Sequence, residues 1–144
     1  MEVHFLVSSM LSACWMLLLL MLTLLLVSGQ TEAASYADFK RQHIYDGPNQ
    51  KCDAMIEERK VYVGDKCKEK NSFVLAKESD VENICKGQKD RATIKSPKPF
   101  EVIACKTGKG QKPPCQYEEK RLGKKHFDVS CVGGLPVHYA SIDI

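Results

Sequence analysis

Beyond the first 29 residues the chain holds three histidines, His43, His126 and His138, the side chains here whose ordinary pKa lets them exchange protons near neutral pH. Two such imidazoles in opposite protonation states could work as general base and general acid on one reacting group. Taken singly, each also reads as an ordinary structural histidine, and composition selects no pair.

His43 falls in a segment, Tyr36 to Ile44, where Tyr36, Phe39, Gln42 and His43 recur at three- and four-residue spacings. A short helix there places Phe39 and His43 on one face, and Gly47-Pro48-Asn49 ends it. Cys52, Met55 and Ile56 form the apolar stripe of a second helix from Lys51 to Lys60, with Gly64 breaking the chain beyond it. Ser79-Asp80-Val81-Glu82 has the capping-box pattern of a third helix, which should end near Cys85-Lys86-Gly87. After about Arg91 the pattern becomes β-rich, at Phe100 to Cys105, Cys115 to Lys120, His126 to Val132 and Pro136 to Ile142. Helices first and antiparallel strands afterwards indicate an α+β domain.

Residues 1–29 lack Lys and Arg, carry an apolar run from Leu11 to Val27 and end in small Ser28 and Gly29. That reads as a signal peptide cut after Gly29, or as second choice after Ala34, although the run approaches the length of a membrane span. Residues 30–144 then form one secreted domain. Loss of Glu2 leaves 21 basic and 17 acidic side chains, a net charge of +4. Such an excess suits a polyanionic partner and serves solubility equally well. Cys14 leaves with the leader, and the six remaining cysteines, Cys52, Cys67, Cys85, Cys105, Cys115 and Cys131, imply three disulfides. Sequence alone leaves about 15 ways to connect them. Zinc-site spacing is absent, and no metal is expected.

Three strings stand out: Phe39-Lys40-Arg41-Gln42-His43, Cys67-Lys68-Glu69-Lys70-Asn71-Ser72-Phe73 and Leu135-Pro136-Val137-His138-Tyr139. Together they resemble the signature blocks of the pancreatic ribonuclease superfamily, and the resemblance spans the whole segment after the leader. The middle block departs from the common family form only in Ser72, where Thr is usual. The resemblance implies three short helices packed on a bent antiparallel sheet. It also implies the pairs Cys52 with Cys105, Cys67 with Cys115 and Cys85 with Cys131. The fourth bridge of the digestive enzymes is missing, and in this the chain is more similar to the angiogenin branch.

By that resemblance the reaction is RNA cleavage, and the chemistry explains the residue types. RNA carries its own nucleophile, the 2′-hydroxyl, so cleavage needs a base for its proton and an acid for the departing 5′-oxygen. His43 is expected as the base and His138 as the acid, the two exchanging roles when water opens the 2′,3′-cyclic phosphate. Lys68 would neutralise charge building on the phosphoryl oxygens. The Gln42 amide and the Tyr139 backbone amide would complete a phosphate pocket, with Asn71 beside them and Arg41 serving a subsidiary phosphate. Ser72 keeps the hydroxyl that reads a pyrimidine edge, with Phe73 lining the base site or packing inward as a core aromatic.

Two departures point to modest turnover. Ala140 and Ser141 follow Tyr139 where relatives often carry an Asp that orients the C-terminal histidine, and Val132 stands where many have a Glu facing the downstream base. Asp38 replaces a frequent Lys. Lys86, Lys89 and Arg91, and Lys120, Arg121, Lys124 and Lys125, are either solvated surface or a track for RNA phosphates, whose attraction would weaken with salt. The expected partner is single-stranded RNA, bound by a monomer without a cofactor. Angiogenin-like signalling and cationic defence at a bacterial or cell surface are the competing roles, with catalysis then secondary.

Overall fold

The computed structural model describes residues 2–28 and 34–141. The chain divides into two units, residues 1–33 and 34–144. The first is a single helix, α1 (Glu2–Ser28), whose described large side chains from Met10 to Leu24 are all exposed. The expected cut after Gly29 lies outside the described residues, as does Ile142, the expected end of the last strand.

The second unit opens with α2 (Tyr36–His43). Ser35 caps it by accepting from the Asp38 amide at 3.1 Å. Asp38 in the first turn and Lys40, Arg41 and His43 in the last suit the helix dipole. After His43 the chain turns at once into β1 (Ile44–Tyr45), both residues buried. The second expected helix is present as α3 (Cys52–Arg59), burying the stripe of Cys52, Met55 and Ile56. A small hairpin of β2 (Tyr62–Val63) and β3 (Lys66–Cys67) leads into β4 (Lys70–Leu75).

The third helix, α4 (Glu78–Glu82), starts one residue before the expected cap and runs on as a 3₁₀ turn to Cys85. Ser79 is therefore inside the helix, and no side chain caps its start. Tertiary contacts have claimed the acids instead: the Tyr36 hydroxyl lies 2.8 Å from Glu78 and 2.5 Å from Glu82, and Lys40 pairs with Glu78 at 3.2 Å. These contacts brace α4 against α2.

The remaining strands are β5 (Thr93–Lys95), β6 (Phe100–Lys106), β7 (Glu118–Lys125), β8 (Asp128–Val132) and β9 (Leu135–Ser141). They form two larger sheets, ordered β1-β4-β6-β7 and β5-β8-β9. All pairs are antiparallel except β1 with β4. β4 lies ahead of the region read as β-rich, because Lys-Asn-Ser at its start favours strands poorly. β7 begins three residues later than expected and reads Glu-Glu-Lys-Arg-Leu-Gly-Lys-Lys, a charged pattern suited to a sheet edge. A two-residue turn of Gly133 and Gly134, at φ 60° and 76°, joins β8 to β9. Positive φ at both positions is what a type I′ hairpin requires.

Two apolar clusters underlie this frame. Phe39, Ile44, Val74, Val81, Phe127 and Val129 gather around the Cys85–Cys131 bridge, and Tyr45, Met55, Ile56, Phe73 and Ile103 around Cys52–Cys105. Cys67–Cys115 ties β3 to the loop before β7. The three pairs are those the family resemblance implies. Closing loops of 53, 48 and 46 residues, each bridge stabilises the domain by about 2–4 kcal/mol.

Candidate active site

Three elements converge on one open cleft of about 510 Å³: the last turn of α2, the segment from Lys68 into β4, and β9. Its walls include Gln42, His43, Lys68, Asn71, Ser72, His138 and Tyr139. Seven of the nine residues singled out from the sequence thus meet here.

His43 is fixed by its own surroundings. Nδ1 sits 2.9 Å from the Ser72 carbonyl oxygen. A carbonyl only accepts, so Nδ1 carries the proton and Nε2 keeps a lone pair. The ring leans on Phe39, with centroids 5.3 Å apart, and stacks on Tyr139 at 4.9 Å and 19°. Burial pulls its pKa down to about 4; the Ser72 carbonyl opposes that fall, while Lys68 and His138 add to it. His43 is accordingly neutral at pH 7.

Lys68 is held by two acceptors, Gln42 Oε1 and Asn71 Oδ1, each 3.0 Å from Nζ. An ammonium has three donors, so one remains for a ligand. Asn71, 4 % exposed, completes the frame by donating from Nδ2 to the Gln42 carbonyl at 2.8 Å. Tyr117 donates to the Lys68 carbonyl at 2.7 Å and pins the same segment from outside. Burial lowers the Lys68 pKa, and Arg41 pushes it the same way.

His138 lies on β9 opposite Ser130 and is exposed. Among the described residues its ring has no hydrogen-bond partner, which is what the missing Asp would have supplied. Tyr139 contributes more than the expected backbone amide: its ring stacks on His43 and also on Phe127, at 5.4 Å and 11°. Its hydroxyl is buried without a well-formed hydrogen bond, and burial raises its pKa; the neighbouring Ser72 hydroxyl offsets that only in part.

Arg41 and Phe73 stand apart from the cleft. Arg41 turns its guanidinium to the end of α3, donating to the carbonyls of Lys60 at 2.8 Å and Arg59 at 3.2 Å, with Asp38 at 3.3 Å. It tethers two helices. Phe73 is fully buried and packs edge-on against Tyr45, because alternation along β4 sends it to the face opposite Ser72. His126 bonds the Ser96 carbonyl at 2.7 Å and does not line the cleft. Lys70 and Asp38, by contrast, line the cleft without having been singled out for it. Lys70 stands two residues from Ser72, and the period of a strand was the signal that could have found it.

A neutral imidazole with a free lone pair, a tethered ammonium with a spare donor and a second exposed imidazole can take a proton, balance an anion and give a proton around one small group. Among the described residues no three His, Cys, Asp or Glu side chains are placed to hold an ion.

The chain is similar to several known proteins. The pancreatic ribonuclease family profile matches residues 34–140. Ribonuclease-like 3 of Danio rerio is 34% identical over 114 residues, 72% of this chain and 76% of that protein. Angiogenin of Mus musculus is 34% identical over 112 residues, 72% and 75% of the two chains. The crystal structure of green turtle egg white ribonuclease superposes with a TM-score of 0.64 at 29% identity, covering 74% of this chain and 97% of that one. With fold, three disulfides and cleft in place beside these matches, the chain belongs to the pancreatic ribonuclease family.

Proposed function

We propose that the chain is a secreted endoribonuclease that cleaves single-stranded RNA on the 3′ side of pyrimidines, forming a 2′,3′-cyclic phosphate, with modest turnover. The observation that carries the mechanism is the Nδ1–H bond from His43 to the Ser72 carbonyl, which leaves Nε2 free to accept the 2′-hydroxyl proton. The oxygen so activated attacks phosphorus, and the bond to the 5′-oxygen breaks. His138 delivers a proton to that oxygen as it leaves. Lys68 balances charge on the non-bridging oxygens through its spare donor, with Gln42 and the Tyr139 amide beside it. In the second step water adds as the roles of the two histidines exchange.

Ser72 reads the base, since a hydroxyl both donates and accepts. The absence, among the described residues, of an acid to orient His138 supports modest turnover. Secretion is supported by the leader helix, whose exposed leucines suit an apolar phase rather than water, and by three disulfides, which need an oxidising compartment.

The test is digestion of poly(U), poly(C) and poly(A) by protein secreted from cells expressing the full chain. His43→Ala and His138→Ala should each lower cleavage by about 10²–10⁴-fold. Undiminished cleavage by His43→Ala would overturn the mechanism, and equal cleavage of poly(A) the base preference.

A further inference from the structure

Next to the catalytic cleft, β4, β6 and β7 present a second groove of about 600 Å³ that joins the first at Lys70, Asn71 and Ser72. In the strand register Ser72 lies opposite Ala104, and Ala104 opposite Lys120. Directly opposed residues of antiparallel strands project to the same face, so these three side chains form one row across the sheet. The residues flanking Lys120 confirm its direction. Glu119 accepts from the Cys52 amide at 2.9 Å and Arg121 donates to the Gln50 carbonyl at 2.7 Å, both on the α3 side. Lys120 faces the other way, over the groove.

Two strand spacings separate the backbones of Ser72 and Lys120 by roughly 10 Å. Ala104 fills the interval with one methyl group, and the four-carbon stem of lysine spans much of it. The Lys120 ammonium has no ion pair or hydrogen bond among the described residues. Glu118 shares its face but stands in the next row, opposite Lys106, farther from Ser72.

We propose that Lys120 is a specificity-determining residue that makes the cleft favour uracil over cytosine at the nucleotide whose 2′-hydroxyl attacks. This rests on the reading of Ser72 as the base contact. Ser72 alone serves either pyrimidine, because its hydroxyl can reverse its role. An ammonium cannot: it only donates. Position 4 of uracil is a carbonyl acceptor, whereas cytosine carries an amino donor there. Lys120 therefore meets a partner on uracil and an opposing donor on cytosine.

The experiment compares kcat/KM for UpA and CpA, using protein secreted from the full chain. The unmodified enzyme should favour UpA by about tenfold. Lys120→Gln, whose amide donates and accepts, should bring the ratio near one, and Lys120→Glu should invert it toward CpA. Lys120 is exposed on an edge strand, so these variants keep the fold. A ratio that stays at its original value in Lys120→Glu, or equal losses on both substrates, overturns the proposal, since a general charge effect moves both rates together. Failure of the unmodified enzyme to cleave either dinucleotide overturns the ribonuclease reading beneath it.

Discussion

The His43 imidazole lies nearly flat on the Tyr139 ring, 4.9 Å away, and Tyr139 is stacked in turn on Phe127. An aromatic from the last strand thus shields a proton-exchanging group on the first helix of the domain. Removing the ring in Tyr139→Ala admits water, and the His43 pKa should rise from about 4 toward its ordinary 6.5. NMR titration of the imidazole reads this directly. The acid limb of the pH profile should move up with it, and kcat should fall by about tenfold as the ring loses its rest.

The same pKa sets a dependence of stability on pH. A histidine whose folded pKa is depressed binds fewer protons in the native state than in the unfolded one between pH 6.5 and 4. Stability from this group is therefore full above pH 6.5 and falls as pH drops toward 4. Allowing for partial exposure, the loss is on the order of 2 kcal/mol. Urea melts at pH 7 and pH 4.5 should differ by less in His43→Asn than in the unmodified protein.

Lys68 depends on its two tethers. Lys68→Ala should lower kcat by about 10²–10³-fold and, by leaving the buried Asn71 Oδ1 without its donor, lower the melting temperature as well. Asn71→Leu acts through position instead, since it removes one tether and leaves the Gln42 carbonyl unpaired. It should cost about 1–3 kcal/mol in denaturant melts and also weaken catalysis. Equal stability of Asn71→Leu and the unmodified protein would contradict this account.

Arg41 separates a binding role from a structural one. Its guanidinium faces helix-end carbonyls, so Arg41→Ala should destabilise by about 1–2 kcal/mol. The slope of log KM against log salt, which reports phosphate contacts, should stay as it was. A shallower slope would return Arg41 to the RNA track.

His138 lacks an orienting acid within the described residues. Ala140→Asp places a carboxylate two positions along the same strand, where family relatives often have one. Steady-state kinetics should show kcat raised a few-fold with KM little changed, because a correctly turned imidazole helps the transition state selectively.

Much of this was legible in the residues themselves. Phe39 and His43 share a helix face because four residues make about one turn, and the blocks around Lys68 and His138 carried enough family likeness to give the disulfide pairs. Legibility failed where a distant part of the chain decided the outcome. Ser79 looked like a cap, yet Glu78 and Glu82 were drawn to Tyr36, 42 and 46 residues away. Arg41 looked like a phosphate ligand until the end of α3 supplied carbonyls for it. Phe73 had two readings that only the pleat of β4 could separate. The charged run of β7 hid the strand's second half, Arg121 to Lys125, because edge strands bury little, and Lys120 gains meaning only from the register that aligns it with Ser72.

The hairpin turn at Gly133 and Gly134 sends β9 back to bring His138 to the cleft. β9 follows β4 by about 60 residues in the chain, so the three walls of the cleft meet only once this hairpin has closed.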